Sequence, residues 1–345
     1  YSNMAGYSAA TVIAEAYEKG FRGFDAQKSL LYIKNNLKSG IYPGYEDYVK
    51  FGFLPCDMYN ASVPRTLEYA FSDWNAGKLC SLLGDKDSSK FYIQSENYLN
   101  LADPVRGFIR PRYRNGKWKE PFDPRRVSHH QPGDDYMESN AWQNNWLVMQ
   151  NIPGLFMNLG GNQKCIWRLD SLFEQPGYLT GSYAADVSGL IGQYAQGNQP
   201  DHHVAYLYAL AGVPYKTQFR IKEIADSTYK NAPDGLPGND DSGEMSAWLV
   251  FSSLGFYPVN PASGNYVIGT PLFSHAEILV GANRITKFIV EAKNISDKNI
   301  YIQSAILNGK AFDQTCIAHT DIAKGGQLIF KMGNKPSDWG RKGHK

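Results

Sequence analysis

The chain has 345 residues, with 35 Lys and Arg against 33 Asp and Glu and a formal net charge of +2. Charge this close to balance argues against an extended polyanion-binding surface, hence against nucleic acid as a partner, and leaves room only for local basic patches. With 43% apolar and 20% charged residues the composition is globular, not disordered, and no apolar run approaches the roughly 20 residues that span a bilayer. Aromatic residues make up 14%; they fill a large core or stack on sugar rings, and composition does not separate the two. Cys56, Cys80, Cys165 and Cys316 are scattered without a CxxC, which disfavours a cysteine-based zinc site and leaves disulfides and buried thiols both open. The sequence opens on Tyr1 with neither a Met nor a signal-peptide pattern, as in a processed product or a fragment.

Helical periodicity predicts helices over Ala5–Lys19, Asp25–Leu37, Ser62–Leu83 and Ser88–Leu101, with Gly20, Gly40 and Gly84 as stops. A long irregular segment follows over 103–133, of a length that usually has a function or local structure of its own. Helices resume near Asn140–Asn158, Gln163–Phe173, His202–Leu210, Tyr215–Tyr229 and Gly243–Leu254, about nine in all. After Pro258 the period changes to that of short strands, at Tyr266–Ile268, Ala276–Val280, Phe288–Ala292, Ile300–Leu307 and Leu328–Lys331, with Asn308-Gly309 and Gly325-Gly326 as turns. The expected class is α+β, mainly α, with a helical domain over 1–258 and a small β-rich module over 259–345.

Three loop-to-helix junctions concentrate polar groups beyond what packing requires. In Asp134–Gln143, Glu138 stands near a helix start, where its plain role is to stabilise the N-terminal dipole. In Gly192–His203, the adjacent His202 and His203 fall on different faces of a helix, unlike the pair of an HExxH site. Zinc is therefore disfavoured there, while the carbonyls of Asn198 and Gln199 are hard-oxygen ligands suited to calcium. Asp201 has the plain reading of a helix cap. In Asp234–Glu244, the neighbouring Asp240 and Asp241 repel each other and must be solvated, capped by helix amides or turned to a cation. Taken together, Glu138 with Asp240 or Asp241 forms a candidate acid and base for a glycosidic bond. The other histidines, His129, His130, His275, His319 and His344, suggest no triad, and no nucleophile elbow, Walker loop or GxGxxG fingerprint occurs.

At these loops the chain resembles the family 92 glycoside hydrolases, calcium-dependent, inverting, exo-acting α-mannosidases. The stretches that carry the resemblance are Thr66–Trp74, Glu138-Ser-Asn-Ala-Trp-Gln143, Gly189–Tyr194 with Gly197-Asn-Gln-Pro-Asp-His-His203, Asp234–Pro258 and Phe330–Asn334. The resemblance implies Glu138 as the general acid and Asp241 as the base, supported by Asp240. An inverting enzyme holds its two carboxylates about 6.5–9.5 Å apart so that water fits between them. It further implies Trp142, Gln143, Asn239, His202 and His203 at the sugar, and Asn198, Gln199 and Asp241 around calcium, which would act as template and Lewis acid.

The implied fold is an (α/α)6 toroid, incomplete at about nine helices, followed by the β module. Family members carry a β-sandwich and early toroid helices upstream of the position of Tyr1, so an upstream β-sandwich is an expected partner. The expected substrates are mannose-containing glycans, α-1,2-linked by preference, met in the periplasm or outside the cell. Two departures stand out: Gln199 where the family usually has Glu, and Asn239 where some members have a third carboxylate. Gln199 removes a charge and predicts weaker calcium binding. The alternatives are a mannose-binding remnant without turnover, and cleavage of a mannose-phosphate linkage, against which the presence of Glu138 argues.

Overall fold

In the computed structural model, residues 6–127, 133–181, 185–281 and 285–341 are described. Their contacts divide the chain into two compact units, 1–195 and 196–345. The change of period at Pro258 thus falls inside the second unit. The described residues form twelve α-helices and several small sheets, a mixed helical and sheet architecture.

In the first unit, α1 (Ala9–Glu18), α2 (Ala26–Lys38), α3 (Tyr45–Phe51), α4 (Ser62–Leu83) and α5 (Ser88–Ser95) come first. Asp25 caps α2 by accepting from the Lys28 amide at 2.9 Å. The centre is α4, whose 22 residues bury Leu67, Ala70, Phe71, Asp73, Ala76 and Leu79 among others, and α1, α2 and α5 pack on it. Asp73, fully buried, accepts from the hydroxyls of Tyr7, Tyr45 (2.8 Å) and Tyr48 (3.0 Å). α3 was hidden in a turn-rich passage because Gly44 and Gly52, both at positive φ, enclose it within two turns of helix. Ser88–Leu101 is helical only to Ser95 and continues as a 3-10 turn over Glu96–Leu101.

The expected helix 140–158 is two, α6 (Ala141–Asn144) and α7 (Ile152–Asn158), before α8 (Asn162–Glu174). Pro153 cannot donate to a preceding turn, and Asn151 starts a new helix by accepting from the Gly154 amide at 3.0 Å.

In the second unit the expected helix 202–210 is a run of 3-10 turns, Gln199–Asp201 and Val204–Tyr206, that becomes α9 (Leu207–Leu210). Asp201 is buried within the first of these turns. α10 (Pro214–Thr228) and α11 (Glu244–Leu254) follow closely their predicted positions. A five-stranded sheet orders 310–311, 301–307, 326–333, 286–293 and 275–280, with a parallel pair between 286–293 and 326–333. Alternate residues Phe288, Val290 and Ala292, and Leu328, Phe330 and Met332, enter one core. Asn308 and Gly309, both at positive φ, turn the chain between 301–307 and 310–311 as their dipeptide predicted. The strand Cys316–Ala318 and α12 (His319–Ala323) were not anticipated. Phe251 and Leu254 of α11 pack against the sheet core, and the Ile302 amide donates to Gln218 of α10 at 3.0 Å. The helix that opens at the acidic loop is thereby anchored on the sheet. All four cysteines are free thiols.

Burial raises the Asp73 carboxyl to about 7, against the pull of its three tyrosine donors. The folded chain then binds a proton that the unfolded chain has released, so Asp73 costs stability as pH rises from its ordinary value near 4 to about 7. The cost approaches roughly 1.4 kcal/mol per pH unit over that interval. Asp73→Asn should flatten the fall of Tm between pH 5 and pH 8; an unchanged slope in thermal melts would place the buried proton elsewhere.

Candidate active site

In the first unit the segment 133–140 is tied down at both ends. The Gly133 amide donates to Asn60 Oδ1 at 2.8 Å, Ala61 donates to the Asp134 carbonyl at 2.7 Å, and Val63 donates to the Asp135 carbonyl at 3.2 Å. The amides of the cap residue Ala61 and of Val63 in the first turn of α4 are thus satisfied by this loop. Lys119 pairs with Asp135 at 2.8 Å. Burial raises the Asp135 carboxyl above its ordinary value, and the Lys119 ammonium opposes the rise.

At the other end Asn140 and Gln143 form a capping box on α6. Asn140 Oδ1 accepts from the Gln143 amide at 3.3 Å, and Gln143 Oε1 accepts from the Asn140 amide at 3.0 Å. Asn140 Nδ2 donates to Gln193 Oε1 at 3.0 Å, and Gln143 Nε2 donates to the Gln193 carbonyl at 3.1 Å. Gln193 in turn donates to the carbonyls of Pro176 (2.7 Å) and Tyr178 (3.1 Å).

Asn140 and Gln143 thus cap α6, and Glu138, expected near the helix start, is not one of its residues. It lies two residues earlier, half-buried, at φ +51°. Between it and the helix, Ser139 donates to the Met137 carbonyl at 2.6 Å and receives the Asn144 amide. Trp142 is buried, with its ring edge-to-face with Phe108 at 5.0 Å, and its indole N–H has no acceptor among the described residues. Gln143 is also buried, and its amide is spent on holding the loop.

In the second unit the turn 196–203 and the loop 234–244 lie against each other. A Cβ on Gly238 would meet the Gly197 carbonyl at 2.5 Å, so only glycine permits this approach. The contact brings Gln199 to the acidic loop, where its Nε2 donates to Asp241 Oδ2 at 2.5 Å. Asp240 is turned the other way: its Oδ1 accepts from the Ser246 amide at 2.9 Å and its carbonyl accepts from Gly243 and Met245, capping the first turn of α11. Asp241, Ser242 and Gly243 have φ of +43°, +60° and +95°. Asn239, Asp240 and Asp241 are all exposed.

His202 and His203 are buried. Nε2 of His202 faces the Gln196 carbonyl at 3.0 Å and Nδ1 faces Glu244 Oε1 at 3.2 Å. Tyr257 also donates to Glu244 at 3.2 Å, and the Trp248 indole donates to the His202 carbonyl at 2.9 Å. Tyr229 stacks flat on Trp248 at 5.6 Å; its hydroxyl is raised by burial and receives Gln196 at 2.8 Å.

Of the sequence-derived candidates, the structure brings together Gln199 with Asp241, and Gln143 with the loop that bears Glu138. His202 is committed to its own unit's framework, and Asn198 is buried beside Gln199. Glu244, Gln193 and the glycine pair were missed; the only local signal was a carboxylate at the first position of α11. His129, His130 and His344 lie outside the described residues. Asn198, Gln199 and Asp241 supply hard oxygens that suit calcium. Among the described residues, however, no three His, Cys, Asp or Glu gather to hold a metal. The donor set fits a weakly held hard cation with one carboxylate.

The family model described as "Glycosyl hydrolase family 92 catalytic domain" matches residues 1–334. The chain is 30% identical over 319 residues to an uncharacterized secreted glycosidase of Arthroderma benhamiae, covering 86% of this chain and 39% of that protein. Among solved structures it is similar to a family 92 α-mannosidase of Bacteroides thetaiotaomicron in complex with mannoimidazole. The TM-score there is 0.91 at 36% identity, over 97% of this chain and 44% of the other. It is also similar to a family 92 inverting mannosidase of the same bacterium, with TM-score 0.87 and 32% identity, over 98% and 47%. The chain spans less than half the length of these relatives.

Asn140→Ala removes both the cap acceptor and the donor to Gln193. It should lower stability by about 1–3 kcal/mol in denaturant titrations and speed amide exchange across 138–143. Unchanged exchange there would show that the capping box does not hold the Glu138 loop.

Proposed function

The chain belongs to glycosyl hydrolase family 92, and on that premise we propose that it carries the catalytic groups of an exo-acting, inverting α-mannosidase that releases terminal α-linked mannose, α-1,2-linked by preference. Glu138 gives its proton to the leaving glycosidic oxygen. Asp241 takes a proton from the water that attacks the anomeric carbon from the opposite face, leaving inverted mannose. Trp142 offers its apolar face and an indole N–H to the sugar, and Asn239 and His203 are polar contacts at the same substrate. Asp240 shapes the base loop. Calcium held by Asn198, Gln199 and Asp241 would supply a template and Lewis acid at the sugar hydroxyls.

The observation that carries this reading is conformational. Only six non-glycine residues among those described have positive φ, and Glu138 and Asp241 are two of them. Left-handed backbone is uncommon outside Gly, with Asn and Asp the most tolerant of the rest, so Glu138 is the more strained of the two; such residues are held at a cost of order 1–3 kcal/mol and cluster at functional sites. Motif position alone did not require that these two carboxylates share it.

The same reading places residues 1–258 in an (α/α)6 toroid completed by upstream helices, with 259–345 as its supporting module and a β-sandwich upstream. It also places the protein in the periplasm or outside the cell; the Arthroderma relative is called secreted, and no helix among the described residues is long and apolar enough to cross a membrane.

Glu138→Gln should cut turnover of α-mannobiose about 100- to 10,000-fold while sparing aryl mannosides with good leaving groups; equal loss on both would remove it from the acid's role. Asp241→Asn should abolish hydrolysis of both, and retained activity would assign the base elsewhere. Chelation should suppress mannose release and calcium should restore it. A folded chain that binds mannose without releasing any would favour a binding role.

A further inference from the structure

Resting on the reading of Asp241 as the base, we propose that Gln199 is its positioning residue, the side chain whose amide keeps that carboxylate aimed. Asp241 occupies a backbone conformation that L residues rarely adopt, at φ +43°, at the start of three consecutive positive-φ residues. It is exposed, so no packing immobilises it. The only side-chain hydrogen bond to its carboxylate among the described residues comes from Gln199 Nε2 at 2.5 Å. The neighbouring Asp240 is fixed differently, by the Ser246 amide, and so offers Asp241 no support.

Gln199 is in turn well placed to act. It opens the 3-10 turn Gln199–Asp201, whose Pro200 restricts the backbone. The Gly197–Gly238 approach fixes the distance between its turn and the acidic loop. A neutral amide donor suits this task for a simple reason. It holds the anion by a charge-assisted hydrogen bond without adding a second charge. A carboxylate at position 199 would face Asp241 across the same contact and repel it unless a cation lay between them. Gln199 therefore makes the position of Asp241 independent of a bound cation, with the amide oxygen still available as a ligand.

The test has two arms on the full chain. The first reads the contact itself in protein with glutamine side chains labelled with nitrogen-15. The Gln199 amide protons should shift downfield relative to free glutamine and lose that shift in Asp241→Asn. An amide signal indifferent to Asp241→Asn overturns the proposal, whether or not the chain turns over substrate.

The second arm reads its consequence. Gln199→Ala should lower kcat 10- to 100-fold with KM within about twofold, while Tm stays near that of the parent. Gly238→Ala, which forces the two loops apart without touching either polar group, should reproduce the kcat loss of Gln199→Ala. A normal kcat in Gln199→Ala, beside an inactive Asp241→Asn, overturns the positioning role. Full activity in Asp241→Asn would instead sink the assignment of the base, and the labelled amide would then decide the contact alone.

Discussion

The first amides of an α-helix have no partner inside it, and the way α4 meets that demand organises the first unit. Asp134 and Asp135 lend their carbonyls to Ala61 and Val63, so the start of the central helix and the loop before Glu138 satisfy each other. Neither can shift without exposing a polar group of the other. Ala61 accepts a left-handed conformation, φ +49°, to make the junction. The loop is then closed at its far end by Asn140, Gln143 and Gln193. Eight residues are held between two hydrogen-bonded clamps, and Glu138 sits between them.

The second unit solves a similar problem by close approach. Two glycine-bearing loops meet where a single Cβ would keep them apart, and α11, anchored on the sheet core through Phe251 and Leu254, carries the acidic loop at its start. A sheet some way from any polar cluster thereby has a part in where Asp241 lies. The contact of buried His202 with the half-exposed Glu244, which also accepts from Tyr257, ties the 196–203 turn to the same helix. Polar groups dominate here because a turn with little regular structure must find partners for its backbone among side chains.

Much of this was legible from residue order. α4 could be read from end to end because Leu67, Phe71 and Trp74 recur at helical spacing and Gly84 stops the pattern. The strands around Val290 and Phe330 could be read because alternate residues are apolar. α3 could not, since seven residues between two glycines give too short a window for a period to show. The break between Asn144 and Ile152 was masked by apolar residues that continue the pattern across it. Glu138 could be read only as a carboxylate near a helix start; that Asn140 and Gln143 make the cap shows in their reciprocal bonds alone. The contacts of Gly197 with Gly238 and of Gln199 with Asp241 join residues some forty positions apart and leave no local trace. Family resemblance named the acidic residues but contained nothing of how this chain restrains them.

The left-handed backbone at Glu138 and Asp241 sets chemistry and folding against each other at single positions. Glycine would relax either site, since it alone enters that region without a steric cost, yet it would delete the carboxylate. A procedure that ranks substitutions by stability would therefore favour losing the two acids, and a lineage released from selection for turnover would drift the same way. On the proposed roles, an acid kept at both positions in a relative would mark a site held against the relief that glycine offers.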